Sequence, residues 1–173
     1  MRELNFSSSS SPKEIFEMLE RKVQEMGFNI IQKDLNRPWG GFFVVSEGQI
    51  AEFKNMFFPE LELTSRQMDQ KLSPKFLIVA PHKRLSWQYH FRREEVWKLI
   101  AGASGIVRSN TDEQVEASDM KIGELVVLDK GERHRLIGKN NWGLVAEIWM
   151  HTDPDNPSDE DDIVRLQDDY SRK

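Results

Sequence analysis

From Lys75 onward, short apolar runs are separated by turn residues about every 8–12 positions, with no helical period between them. KFLIVAP, LSWQYHF, VWKLIAG, GIVRS, GELVVLD, ERHRLIG and GLVAEIWM each read as a strand. VWKLIAG and GIVRS are expected to be separate, broken at Ala101-Gly102, and TDEQVEASD reads as a polar loop. A parallel α/β sheet would need helices between its strands, so this pattern disfavours it. The expectation is an all-β sandwich or barrel, and a double-sheet jelly roll fits best.

The chain ahead of Lys75 is different. Ser11 is a candidate N-cap, Pro12 occupies the first helical position, and Glu14 completes a capping box. Ile15, Met18, Leu19, Val23 and Met26 recur at helical spacing, and Gly27 is the expected stop. The apolar stripe predicts a helix packed on the outside of the sheet. Residues 1–33 are thus expected to form an N-terminal arm and helix, and residues 34–173 the β domain. Phe42–Val45, after the Pro38-Trp39-Gly40 turn, reads as a further strand. Arg37 suits either a phosphate or a surface ion pair, and Trp39 is expected to close one barrel end. Glu47–Ser73 has no clear period; a lid, a hairpin or a dimer contact are all open.

One stretch carries chemistry. In RLSWQYHFRREEVWKLIAGASG, Gln88 and His90 are two residues apart and so share one strand face. The chain can turn at Phe91–Glu94 and bring Glu95 to the same space. DKGERHRL adds His134 after a glycine turn. The 173 residues include no Cys, so a metal site here must use N and O donors. An amide oxygen, two imidazoles and a carboxylate suit one borderline divalent ion, Zn foremost, with Mn, Fe, Co or Ni as alternatives.

The pattern Gln88-x-His90-x-x-Arg93-x-Glu95-x-Trp97, followed by Gly102, resembles the first metal motif of the cupin superfamily. More narrowly it resembles the type II mannose-6-phosphate isomerase cupins. Gly123, Gly131 and His134 match the second motif, with Asp129 in place of its proline; Asp also favours turns. Arg37-Pro38-Trp39-Gly40 and the ending EDDIVRLQDDYSR are similar to segments of the same family. The resemblance implies a cupin double-stranded β-helix and a metal-dependent aldose–ketose isomerase acting on mannose 6-phosphate and fructose 6-phosphate. It covers roughly Lys75 to Arg172. The nucleotidyltransferase domain fused to many of these proteins is not expected within these 173 residues, which hold no Gly-rich nucleotide loop.

Such a reaction needs a base. Glu147 lies in an otherwise apolar strand, where desolvation raises a carboxyl pKa toward neutrality; a structural partner of an Arg is the other reading. Arg93 and Arg135 are candidates to hold a hydroxyl, the developing oxyanion or the phosphate. Lys75 is a candidate second cation or proton shuttle. One of these is expected to pair only with the acidic tail, and Arg165 is a candidate to serve as the tail's anchor alone. His82 and His151 are expected to be exposed. Trp87, Trp97, Trp142 and Trp149 are expected in the core or rim, one of them a floor for the sugar ring.

Charge and hydropathy restrict partners. Asp153–Asp169 holds eight acids and one Arg, a local charge of −7 within a chain of net −5, so the body is mildly positive and suits small anions. It lacks a nucleic-acid-binding signature, and no apolar run is long enough for a membrane span. The N-terminus lacks an apolar signal core, so a cytoplasmic protein is expected. A homodimer is compatible with the family. A different sugar isomerase, an Fe(II) oxygenase and a non-catalytic sugar- or metal-binding cupin are the alternatives.

Overall fold

The computed structural model describes Leu4 and residues 6–171. Arg172, the last residue of the tail motif, lies outside the described residues. Among the described residues, nine strands form one antiparallel sheet that curls into a jelly-roll barrel, as the strand pattern predicts.

Helix α1 spans Pro12–Glu25, capped reciprocally by Ser11 and Glu14. Gly27 follows at φ +90°, a left-handed position suited to glycine. Ile15, Phe16, Leu19 and Val23 are buried against the sheet, and Met18 and Met26 pack at its margin. Strands β1 (Ile30–Arg37) and β2 (Gly40–Val45) follow. The expected 33/34 boundary therefore falls inside β1, a strand whose exposed and half-buried residues gave no alternating signal.

Glu47–Ser73 is neither a hairpin nor a detached lid. After a 3-10 turn at Glu47–Gln49 it forms α2 (Ile50–Phe57) and a short α3 (Ser65–Met68). Phe53, Phe57, Phe58 and Leu72 are buried in the core. Phe53 and Phe57 pack on Phe76 at ring-centroid distances of 5.1 and 5.3 Å. Burying one such ring contributes on the order of 2 kcal/mol. The segment covers the outer face of the sheet beside α1.

The barrel strands are β3 (Lys75–Val79), β4 (Trp87–Tyr89), β5 (Arg93–Ser109), β6 (Ser118–Asp119), β7 (Leu125–Leu128), β8 (Arg133–His151) and β9 (Val164–Gln167). VWKLIAG and GIVRS are one strand, not two: β5 continues through register shifts at Leu99/Ala101 and Gly102/Ser104. Gly102 sits at φ +77°, and a Cβ there would meet the Trp142 carbonyl oxygen at 1.9 Å. The glycine bends the strand rather than ending it. ERHRLIG and GLVAEIWM likewise merge into β8, which pairs with β3, β4 and β5. The polar loop contains the two-residue β6. The tail forms β9 and pairs with β4.

Two cores result. Outside the sheet, α1 and α2 cover Phe76, Ile78, Val96, Ala146 and Ile148. Inside the barrel lie Trp39, Leu77, Trp97, Leu99, Leu136 and Val145. All of β3 is buried, because both its faces are covered; this explains its unbroken apolar sequence. Among the described residues, no helix is long and apolar enough to cross a membrane.

Candidate metal centre and carboxylate pocket

The inward positions of β5 and β8 stop being apolar at one end of the barrel. Alternation from Leu99 and Trp97 leads to Glu95 and Arg93 on β5, and from Val145 to Glu147 and Trp149 on β8. His134, at the start of β8, faces Gln88 on β4. The turn at Asp129–Glu132 delivers it: Gly131, at φ +79°, donates its N–H to the His90 carbonyl across 2.9 Å.

His90, Glu95 and His134 converge, with one potential ligand atom from each lying within 4.8 Å of the others. All three are buried. His90 Nε2 lies 3.0 Å from Glu95 Oε1, and His134 Nε2 lies 3.4 Å from Glu95 Oε2. The outer ring nitrogens are fixed by the backbone. Nδ1 of His90 donates to the Asp162 carbonyl at 2.5 Å, and Nδ1 of His134 to the Glu132 carbonyl at 2.9 Å. A carbonyl only accepts, so in the neutral rings the Nε2 lone pairs turn inward. Glu95 Oε2 and His134 Nε2 are buried without a hydrogen-bond partner. Two inward lone pairs and a carboxylate form an acceptor-rich pocket, and the chemistry of this set fits a divalent cation. Gln88 lines the adjoining cavity, and its Oε1 accepts from Ser86 Oγ at 2.6 Å. Burial alone would raise the Glu95 carboxyl. Positive charge overrides it, from His90 when that ring is protonated and from Arg93, and holds the group well below the usual carboxylate range.

Arg93 braces this group. Its Nε donates to Glu95 Oε1 at 2.9 Å, and Nη1 donates to Ser158 Oγ at 2.9 Å and the Asp159 carbonyl at 3.0 Å. Nη2 is 2.9 Å from Glu95 and 3.3 Å from His90 Nε2. Arg93 lines the cavity as well, but its N–H groups are engaged by the protein, and it orients Glu95. Arg135 corrects the sequence reading more sharply. It neighbours His134 and therefore points to the opposite face. Fully buried there, it donates to Gln114 Oε1 at 3.0 Å and the Gln167 carbonyl at 3.1 Å, and it lies 3.7 Å from Asp169. Arg135 serves the tail beside Arg84, which bonds Asp169 through Nε and Nη2, and it does not line the cavity.

Of the three residues, Glu95 lines a cavity of about 150 Å³, together with Lys75, Gln88, Glu147 and Trp149 among others. Glu147 Oε2 accepts the Trp97 indole N–H at 2.9 Å, and Oε1 accepts that of Trp149 at 3.2 Å. Burial, reinforced by the negative charge of Glu95 and opposed by Lys75 and Arg93, pushes the Glu147 carboxyl up to about 7. Lys75 is paired with Glu147 across the β3–β8 ladder. Its Nζ lies 4.0 Å from the Trp149 ring centroid and donates to Glu160 at 3.0 Å. Arg37 pairs with Asp34 at 2.8 Å and also lines the cavity. A larger groove of about 740 Å³ lies elsewhere, between Phe6, Met56 and Ile122, and holds none of these groups.

His82 is exposed, in a turn at φ +58°. His151, expected at the surface, is buried: it bonds the Lys71 carbonyl through Nε2 and accepts the Ser158 N–H through Nδ1 at 2.9 Å. Asp162 and Ser158 were missed by sequence reasoning. Asp162 accepts the backbone N–H groups of Phe91 and Arg92 at 2.9 Å each, and Ser158 Oγ donates to it at 2.6 Å. Their place within the acidic Asp153–Asp169 run gave no sign of burial.

A family model described as mannose-6-phosphate isomerase C-terminal matches residues 50–168. A mannose-1-phosphate guanylyltransferase of Salmonella montevideo is 25% identical over 151 residues, covering 87% of this chain and 26% of that protein. Xanthan biosynthesis protein XanB of Xanthomonas campestris pv. campestris is 32% identical over 108 residues, covering 62% and 21%. The chain thus spans about a quarter of the length of these curated relatives. Two solved structures share the fold. A mutant of Bacillus subtilis oxalate decarboxylase OxdC aligns at TM-score 0.56 and 12% identity over 78% of this chain and 30% of that one. CapF from Staphylococcus aureus aligns at 0.53 and 13%, over 79% and 31%. The match over residues 50–168, on a barrel of this architecture, shows that the chain is a cupin and belongs to the mannose-6-phosphate isomerase C-terminal family.

Proposed function

We propose that this domain is a metal-dependent aldose–ketose isomerase that interconverts mannose 6-phosphate and fructose 6-phosphate. The observation that carries the reading is Glu147: a buried carboxyl near neutrality, in the cavity that Glu95 also lines. The family and the sugar-phosphate names of its relatives support the substrate class.

His90, Glu95 and His134, with Gln88, would hold the ion, Zn foremost. When bound, it supplies Lewis-acid stabilisation of the negative charge that develops on the sugar oxygens. Glu147 takes the proton from C2 of the aldose and returns it to C1 while the O2 hydroxyl proton passes to O1, and both transfers run backwards in the reverse direction. Its pKa near neutrality lets it serve as both acceptor and donor. Trp97 and Trp149 each hold one of its two oxygens, which limits the side chain to one orientation. Lys75 offers a positive charge beside it, and Arg93 keeps Glu95 in place. Trp149 offers an aromatic wall to the sugar.

Incubation of mannose 6-phosphate with the protein in D2O tests this by NMR. The expected result is appearance of fructose 6-phosphate with solvent deuterium at carbon, stopped by a chelator and restored by zinc. Metal binding without exchange would instead support a binding protein, and oxygen consumption would support an oxygenase.

A further inference from the structure

Lys75 is nearly buried, yet the carboxylate that satisfies it is not. Its Nζ sits on the Trp149 ring at 4.0 Å and donates to Glu160 Oε1 at 3.0 Å. The Lys75 side chain is 9% exposed and that of Glu160 is 68% exposed. Both line the 150 Å³ cavity, together with Arg37 and Arg165. A buried ammonium needs an anion, whereas an exposed carboxylate gives up little when it returns to water. Glu160 stands in a turn of the segment between β8 and β9, outside any strand ladder. It therefore reaches Lys75 from the solvent side and can swing away without breaking the sheet.

We propose that Glu160 is a specificity residue: its carboxylate occupies the seat of the substrate's phosphate on Lys75 and is displaced by it. The phosphate carries more charge than one carboxylate, and the cavity it enters is also lined by Arg37, paired with Asp34, and by Arg165, so exchange favours it. A neutral sugar gains nothing from displacing Glu160 and leaves Lys75 covered. The Glu160–Lys75 pair thereby selects for phosphorylated sugars. This rests on the sugar-phosphate reading above and adds to it the site of the phosphate.

Calorimetric titration of the metal-loaded protein with inorganic phosphate tests the exchange without turnover. Glu160→Gln is expected to tighten phosphate binding by roughly five- to tenfold, the scale of one exposed ion pair and one removed repulsion. Combining it with Lys75→Met is expected to abolish that gain. Lys75→Gln serves if the Met variant does not fold. Phosphate bound at the ion or elsewhere would be insensitive to Glu160. Equal affinity in wild type and Glu160→Gln, or no detectable binding in either, overturns the proposal. A protein that isomerises the sugar but ignores Glu160 loses this inference alone. One that binds phosphate as described and does not isomerise loses the assigned reaction alone.

Discussion

Trp97 and Glu147 are direct partners across the β5–β8 ladder, and the Trp97 indole N–H donates to Glu147 Oε2 across 2.9 Å. The carboxylate is thus held by the barrel wall. It does not depend on a mobile loop for its position.

Glu147→Gln keeps the shape and one acceptor oxygen but cannot take a proton. It should lower kcat by about 10²- to 10⁴-fold, the usual worth of a general base. Metal content should stay at the wild-type level. Steady-state kinetics together with elemental analysis check this; a variant that keeps full kcat removes Glu147 from the reaction.

Stability offers a second reading of the same residue. The folded carboxyl is pushed to about 7 against an ordinary value of 4.5. Between these values the folded chain binds more protons than the unfolded chain, so stability falls as pH rises. In metal-free protein the loss amounts to about 3 kcal/mol, from the worth of one pKa unit. Denaturant melts from pH 4.5 to 8 should show this slope in wild type and not in Glu147→Gln. A bound cation lowers the same pKa, so the acid limb of the activity profile should fall at or below pH 7.

Arg93 and Arg135 separate site from scaffold. Arg93→Lys keeps a charge but cannot reach Glu95, His90 and Ser158 together. It should weaken metal binding by about 10- to 100-fold, as loss of a ligand's outer partner does. Arg135→Gln should instead loosen the tail, read as faster amide exchange at 164–167, with metal affinity retained.

Phe53→Ala removes a fully buried ring from the layer outside the sheet. It should cost about 3–5 kcal/mol in a denaturant melt. A small cost would mean that α2 is not part of the core.

Strand content was legible because β3, β5 and β8 carry apolar residues bounded by turns. Their lengths were not: Gly102 and Gly138–Gly143 read as breaks, yet bulges and long ladders carry β5 and β8 through. His90, Glu95 and His134 were found from spacing and resemblance. Arg135 was misplaced because adjacency to His134 was weighed above strand parity, which sends neighbours to opposite faces. His151 was taken as exposed because its partners, Lys71 and Ser158, come from segments with no recognisable period. Asp162 looked like one more surface acid until the fold brought it against Arg92 and Ser158.

The central claim is that one cation is gripped by His90, Glu95 and His134. Elemental analysis of wild type, Glu95→Gln and His134→Ala, each reconstituted with zinc and desalted, tests it most directly. The account predicts one ion per wild-type chain and loss of the ion from both variants. Retention of a full equivalent by His134→Ala, or a wild-type chain that takes up none, would contradict it.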